Sequence, residues 1–274
     1  MWVQRIFHVA NAVLVCAAIG FAWRQHQGWS ATGGSLFGWV MVAAAVVFAL
    51  LAALVWAIRD YRAWIALGEG GLPSNIFGWF AVTAMRPMAG DPYDQSVFAD
   101  KLGGSTDQTF LGDLPTRAGP RPTVAPHAVP HRQNDQIPDR GVMQQLSNMF
   151  DGIVARNDDR LHYQLSQYEK HNQAIWLRDV EGGNPATGLG GEIGHFHPSD
   201  GSMHTILSPS DAKQVLDKGW GELHSMARFK RIFPTETFVM LYAPARAEHV
   251  PVIRDIIEAA TCYALPRGNN SIKG

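Results

Sequence analysis

Apolar and polar positions divide the chain into regimes of different period. From Leu36 to Ile58 the residues run without a charge and are mostly Ala, Val, Leu and Phe. At 1.5 Å per residue this is roughly 34 Å of helix, long enough for a hydrocarbon core of about 30 Å. A shorter run, Ile6 to Trp23, predicts a second span of roughly 27 Å. It ends in Phe21-Ala22-Trp23-Arg24 with no small-residue cleavage site, so the pair reads as a transmembrane helical hairpin, not a secretory signal. A third apolar stretch, Leu72 to Met88, is interrupted by Gly78 and Arg86 and predicts an interfacial helix or a piece of the soluble core. Between Ala89 and Arg140 the prolines 115, 120, 122, 126, 130 and 138 come too often for a helix and predict an extended arm wrapping the domain that follows.

Beyond the arm the period changes again. Val142, Leu146, Met149, Phe150 and Ile153 recur at helical spacing, predicting an amphipathic helix to Arg156. Strand-like runs follow at 174–180, 192–197, 203–207 and 238–243. Ser208-Pro209-Ser210-Asp211 has the cap and first-turn residues of a helix that stops at Lys218-Gly219, and a last helix is predicted over 247–264. Clustered strands with helices between and after them predict an α+β fold with a mostly antiparallel sheet and packed helices. The expected organisation is an anchor over 1–58 with spans at 6–23 and 36–58, an interfacial segment and Pro-rich arm over 59–140, and an α+β domain over 141–274.

Charge sharpens this division. Of the 47 charged residues only Arg5 and Arg24 fall in the first 58 positions. Arg5, Arg59, Arg62 and Arg86 flank the hairpin on one side and Arg24 alone lies in its loop, which by the positive-inside rule places both termini and the soluble domain on the cytoplasmic face of a multi-pass membrane protein. A net charge of −1 gives no basic footprint for nucleic acid. Cys16 and Cys262 are too few for a disulfide framework or a thiolate metal cluster.

The densest polar cluster runs from Glu192 to His204. Pro198-Ser199-Asp200-Gly201 is a four-residue turn signal, and with that loop His197 pairs with Ser202 while His195 lies opposite His204. Side chains alternate faces at period 2, so His195, His197, Ser202 and His204 emerge together. Glu192 falls on the other face unless Gly194 supports a bulge. Three imidazoles on one face supply acid–base chemistry near neutral pH or a His₃ metal site on His195, His197 and His204, and spacing does not separate the two. The remaining alternative is a membrane-tethered ligand-binding module in which the imidazoles only tie the hairpin together. His224 is a further member of the cluster, Trp220 a pocket wall, Arg117 and Arg121 an oxyanion clamp, and His171 shares a face with Glu169 if the segment is a strand.

Glu192-Ile-Gly-His195-x-His197, then His204, Asp211, Val215-Leu-Asp-Lys-Gly-Trp-Gly221 and His224, resembles the core of the fungal luciferases. Arg59-Asp60-Tyr61, Asp113-Leu-Pro-x-Arg117-x-Gly119-x-Arg121-Pro122 with His127, Glu169-x-His171 and Leu241-Tyr-Ala-Pro244 extend the likeness over roughly 59–265. The resemblance implies a membrane-anchored oxygenase that oxidises a 3-hydroxyhispidin-like pyrone or phenol with O2, with loss of carbon dioxide and light emission, and with no flavin or nucleotide. It implies His195, His197, His204 and Glu192 as the catalytic set, and Arg117, Arg121, His127, His171, Trp220 and His224 around a small, hydrophobic aromatic substrate. The hairpin turn is one residue shorter than in the luminous enzymes, so a non-luminous relative acting on another pyrone or phenol is the alternative.

Overall fold

A computed structural model describes residues 20, 36–105, 107–184, 188, 190–229, 235–266 and 272. The expected first span, 6–23, lies outside the described residues except Gly20, and the hairpin with it. The chain divides into two compact units after Ala66.

In the first unit, helix α1 spans Leu36–Ala66 and continues through Arg59, Asp60 and Arg62, eight residues past the point where charges begin. Its stretch Gly38–Ala66 has a hydropathy of 2.7 in its most apolar window, none of which is buried. Val40, Val46, Val47, Phe48, Leu51 and Leu54 point outward on all sides. A helix apolar all round is suited to a membrane or to the core of a large protein. By length and composition α1 is long and apolar enough to cross a bilayer.

In the second unit, Asn75 accepts hydrogen bonds from the N–H groups of Phe77 and Gly78 and opens helix α2, Ile76–Met85. The helix buries Trp79 and Val82 but leaves Phe77 79% and Phe80 60% exposed. The arm follows, beginning with a 3-10 turn at Gln95–Lys101 that buries Phe98. From there it is extended and tied down along its length. The N–H groups of Phe110 and Leu111 donate to the Asp211 carboxylate, that of Leu114 to Gln214, that of Arg117 to the Lys218 carbonyl and that of Gln133 to Asp200. A chain that cannot form helix or sheet still satisfies its backbone groups by borrowing partners from the domain it crosses.

Helix α3, Arg140–Arg156, is capped by Asp139 and buries the predicted stripe of Val142, Leu146, Phe150 and Ile153. Six strands then form one antiparallel sheet: β1 Leu161–Leu165, β2 Gln173–Leu177, β3 Glu192–Phe196, β4 Met203–Ile206, β5 Gly221–Leu223 and β6 Phe238–Leu241, in the order β1-β2-β3-β4-β6-β5. Between β4 and β5 lies α4, Pro209–Asp217, with Ser208 accepting from the Asp211 N–H. Helix α5, Val250–Ala264, closes the unit. The apolar core gathers Leu146, Phe150, Ile153, Met203, Ile253 and Ile257, and Phe196 of β3 packs on Phe150 of α3 with ring centres 5.2 Å apart. The alternate positions of β3 and β4 point to the opposite face of the sheet.

Candidate active site

The tight turn after β3 sets the site. His197 N–H donates to the Ser202 carbonyl, Gly201 takes φ +75°, and His195 and His204 are register partners, the pairing that the turn signal predicts. The rings of His195, His197 and His204 lie 4.9–5.4 Å apart, centre to centre, on one face. The row continues across the sheet, with His204 paired to Met240 of β6 and Met240 to Glu222 of β5.

Glu192 is on that face as well. Ile175 pairs with Gly194 and Trp176 with Glu192, so Ile193 is an extra residue that rotates the start of β3 by one position. The result is a hydrogen bond of 2.8 Å between Glu192 Oε1 and His195 Nδ1. The same carboxylate accepts the Ser166 hydroxyl at 2.8 Å and the Gln167 N–H at 2.9 Å. A carboxylate that already accepts two donors also accepts the proton on His195 Nδ1, which leaves Nε2 with its lone pair. That Nε2 atom is buried and has no hydrogen-bond partner among the described residues.

His195 lines a cavity of about 230 Å³ together with His131, His204 and His224. The rest of the wall combines carbon from Leu72, Met85, Val129, Met226 and Phe238 with the polar residues Gln167, Glu169 and Lys170. Burial first, then the charges of Arg132, His195 and His131, depress the pKa of His197 well below the ordinary imidazole value. Burial and the surrounding histidines do the same to His204, and burial and His131 to His224. These rings resist protonation near neutral pH.

The other residues singled out by sequence are distributed differently. His224 joins the cluster, 4.9 Å from the His131 ring. Arg117 donates to the Pro120 carbonyl and to Gln136, and Arg121 donates to the Leu216 carbonyl and lies over the Tyr93 ring. Both guanidiniums fasten the arm, and neither lines the cavity. Trp220 is buried with its N–H on the Pro115 carbonyl. His127 is buried beside the cavity-lining Ala128 but is not itself part of the wall. His171 lies at the surface, 3.2 Å from Glu69, and its expected neighbour Glu169 is instead buried against Arg132.

Sequence spacing misses His131 and does not single out Glu222. His131 is carried in by the arm, its Nδ1 3.2 Å from His204 Nε2 and its Nε2 3.0 Å from Glu222 Oε1. It bridges the two ends of the His204–Met240–Glu222 row, 73 residues from one partner and 91 from the other. The sequence signal was only a His in a Pro-rich stretch. Two triads offer nitrogens within 4.8 Å of one another, His195-His197-His204 and His131-His204-His224. In the first, the gap between His197 Nε2 and His204 Nδ1 is already a hydrogen bond of 3.2 Å, and in the second His224 Nδ1 accepts the Met226 N–H.

A buried, oriented base beside a pocket is the layout of an enzyme site. The chain belongs to the luciferase family. The sequence profile of the Luciferase domain matches residues 190–260, which include β3, its turn, β4, β5 and β6. A luciferase of Armillaria mellea is 30% identical over 238 residues, covering 82% of this chain and 88% of the relative. A luciferase of Armillaria gallica is 31% identical over 217 residues, 75% and 80% of the two chains. One from Neonothopanus nambi is 27% identical over 236 residues, 82% and 85%. No solved structure matches.

Proposed function

We propose that this protein is a membrane-anchored luciferase-type oxygenase whose substrate is a small apolar pyrone or phenol with an acidic enolic hydroxyl. The observation that carries the reading is His195, a ring of the cavity wall whose Nδ1 is fixed by Glu192 and whose buried Nε2 has no partner among the described residues. A base held in one tautomer accepts the enolic proton without first having to reorient. The enolate then reacts with O2, and a cavity poor in polar groups shields the peroxide and the product from water. Emission of light from an excited product fits the same dry environment and the luciferase relatives.

This reading needs no flavin or nucleotide. It treats His195, His197 and His204 as proton carriers, since His197 Nε2 and His204 Nδ1 share a hydrogen bond of 3.2 Å and Glu192 holds His195 Nδ1. Metal analysis of the purified protein tests this, and one equivalent of bound metal would replace it with a His₃ metal enzyme. The anchor is α1, with residues 6–23 as the second span of a hairpin, and the protein should stay in the membrane pellet after an alkaline carbonate wash.

The deciding experiment gives the full chain 3-hydroxyhispidin in air and follows oxygen uptake and photon output together. Uptake with light supports the full reading. Uptake without light keeps the oxygenase and removes light emission. Neither signal overturns the reading for that substrate.

A further inference from the structure

The hydrogen bonds around His131 can be counted proton by proton. At one end, Asp200 Oδ2 accepts the Gln133 N–H at 2.8 Å and the Ser202 hydroxyl at 2.7 Å. That hydroxyl has one proton and has given it away, so Ser202 accepts from His197 Nδ1 at 2.9 Å. His197 Nε2 is then the acceptor for His204 Nδ1, and His204 Nε2 the acceptor for His131 Nδ1, each at 3.2 Å. At the far end His131 Nε2 faces Glu222 Oε1 at 3.0 Å, and Oε2 of that carboxylate accepts the hydroxyls of Tyr242 at 2.8 Å and Tyr93 at 3.0 Å. Four contacts involve a ring nitrogen of His197, His204 or His131, and each needs a proton. Three neutral imidazoles carry three, so the chain holds one proton in excess.

We propose that His131 is a stored imidazolium, charged against Glu222, that stabilises negative charge developing on oxygen in the cavity. The excess proton follows from the hydrogen-bond count, and its seat on His131 from the two tyrosine hydroxyls and the Gln133 N–H that keep Glu222 and Asp200 as acceptors. The role rests on the oxygenase reading given above.

Other groups facing His131 do not compete for the proton. His204 is stacked beside it and spends Nε2 as an acceptor, and His224 meets it edge-on with Nδ1 taken by the Met226 N–H. Arg132, the next residue, is paired with Glu169. Glu222 is the one carboxylate among the described residues in hydrogen-bonding contact with the ring. Burial would raise its pKa, but bonds from His131, Tyr242 and Tyr93 outweigh burial and hold it below the usual range.

In the reaction, the enolate made by His195 gives one electron to O2, forming a substrate radical and superoxide. Radical and superoxide combine through a new C–O bond into a peroxide anion. His195 returns the enolic proton from Nε2 to the terminal oxygen, leaving a hydroperoxide and a neutral His195, while both protons of His131 stay in their bonds to His204 and Glu222. Electron transfer to O2 beside a fixed positive charge in a low-dielectric cavity is favoured by Coulomb attraction.

The test is 15N NMR of the histidine-labelled full chain near neutral pH, with no substrate, comparing wild type, Glu222→Gln and His131→Gln. The expected result is an imidazolium signal present in wild type and absent from both variants. A set of imidazolium signals left unchanged by His131→Gln overturns the proposal whether or not the protein consumes oxygen. For the role, Glu222→Gln should lower kcat/KM for O2 by about 100-fold, the scale of losing one transition-state electrostatic contact, with little change in KM for the organic substrate. An unchanged kcat/KM for O2 overturns the role, and absence of any oxygen uptake by wild type overturns the oxygenase reading while the NMR result stands.

Discussion

His195 Nδ1 lies 2.8 Å from Glu192 Oε1, three residues earlier on the same strand, a contact that regular alternation forbids and the bulge at Ile193 creates. It turns a polar strand residue into an oriented base. His195→Ala should therefore reduce turnover by about 10²- to 10⁴-fold, the usual contribution of a general base. Glu192→Gln should lose less, because the ring remains while the tautomer is no longer enforced, and its activity should fall mainly in kcat. Steady-state oxygen uptake checks both, and an active His195→Ala protein would remove the base assignment.

Gly194 of β3 is the register partner of Thr205 of β4. A Cβ there would lie 2.5 Å from the His204 carbonyl oxygen and 3.0 Å from Thr205 Oγ1. Backbone cannot give way as a flexible side chain can, so Gly194→Ala should destabilise the fold by about 1–3 kcal/mol and spread the His195–His204 pair. The expected outcome is a lower Tm together with lost activity. Gly112, with nothing within 4 Å of its added Cβ, supplies the control substitution.

Acid should weaken the fold through buried imidazoles. His197, His204 and His224 have folded pKa values well below 6.5, so the unfolded chain binds protons first as pH falls. Stability from these groups is complete above about pH 6.5 and is lost below it, by up to about 1.4 kcal/mol per pH unit for each ring. Denaturant midpoints measured between pH 7.5 and 5.5 should fall. His224→Asn should flatten the slope by one proton, and a wild-type midpoint independent of pH would contradict the burial argument.

Arg117 is the discriminating arginine. Its two terminal nitrogens bond the Pro120 carbonyl and Gln136 outside the cavity, so Arg117→Ala should lower Tm and leave KM for the organic substrate within about twofold of wild type, the change expected when a contact outside the transition state is lost. A large rise in KM with unchanged Tm would instead return the oxyanion role to it.

The sequence by itself determined much of this protein. Absence of charge marked α1, period 3.6 marked α3, Ser208-Pro209 opened α4, and the Pro198–Gly201 turn fixed which histidines face each other, all because these are local rules of backbone geometry. It did not reveal β1, an edge strand with Tyr163 and Leu165 partly exposed, or β5, only three residues long and beginning at Gly221, because short strands take their identity from their neighbours. It assigned Arg117 and Arg121 to the pocket and overlooked His131. That assignment turns on where a proline-rich arm crosses the sheet, and the arm's path is set by donors and acceptors about a hundred residues away, at Asp211, Gln214 and Lys218. Tertiary structure alone decided that His131 bridges His204 and Glu222, since strand pairing brings those two residues to opposite ends of one row and only a segment laid across the sheet can join them.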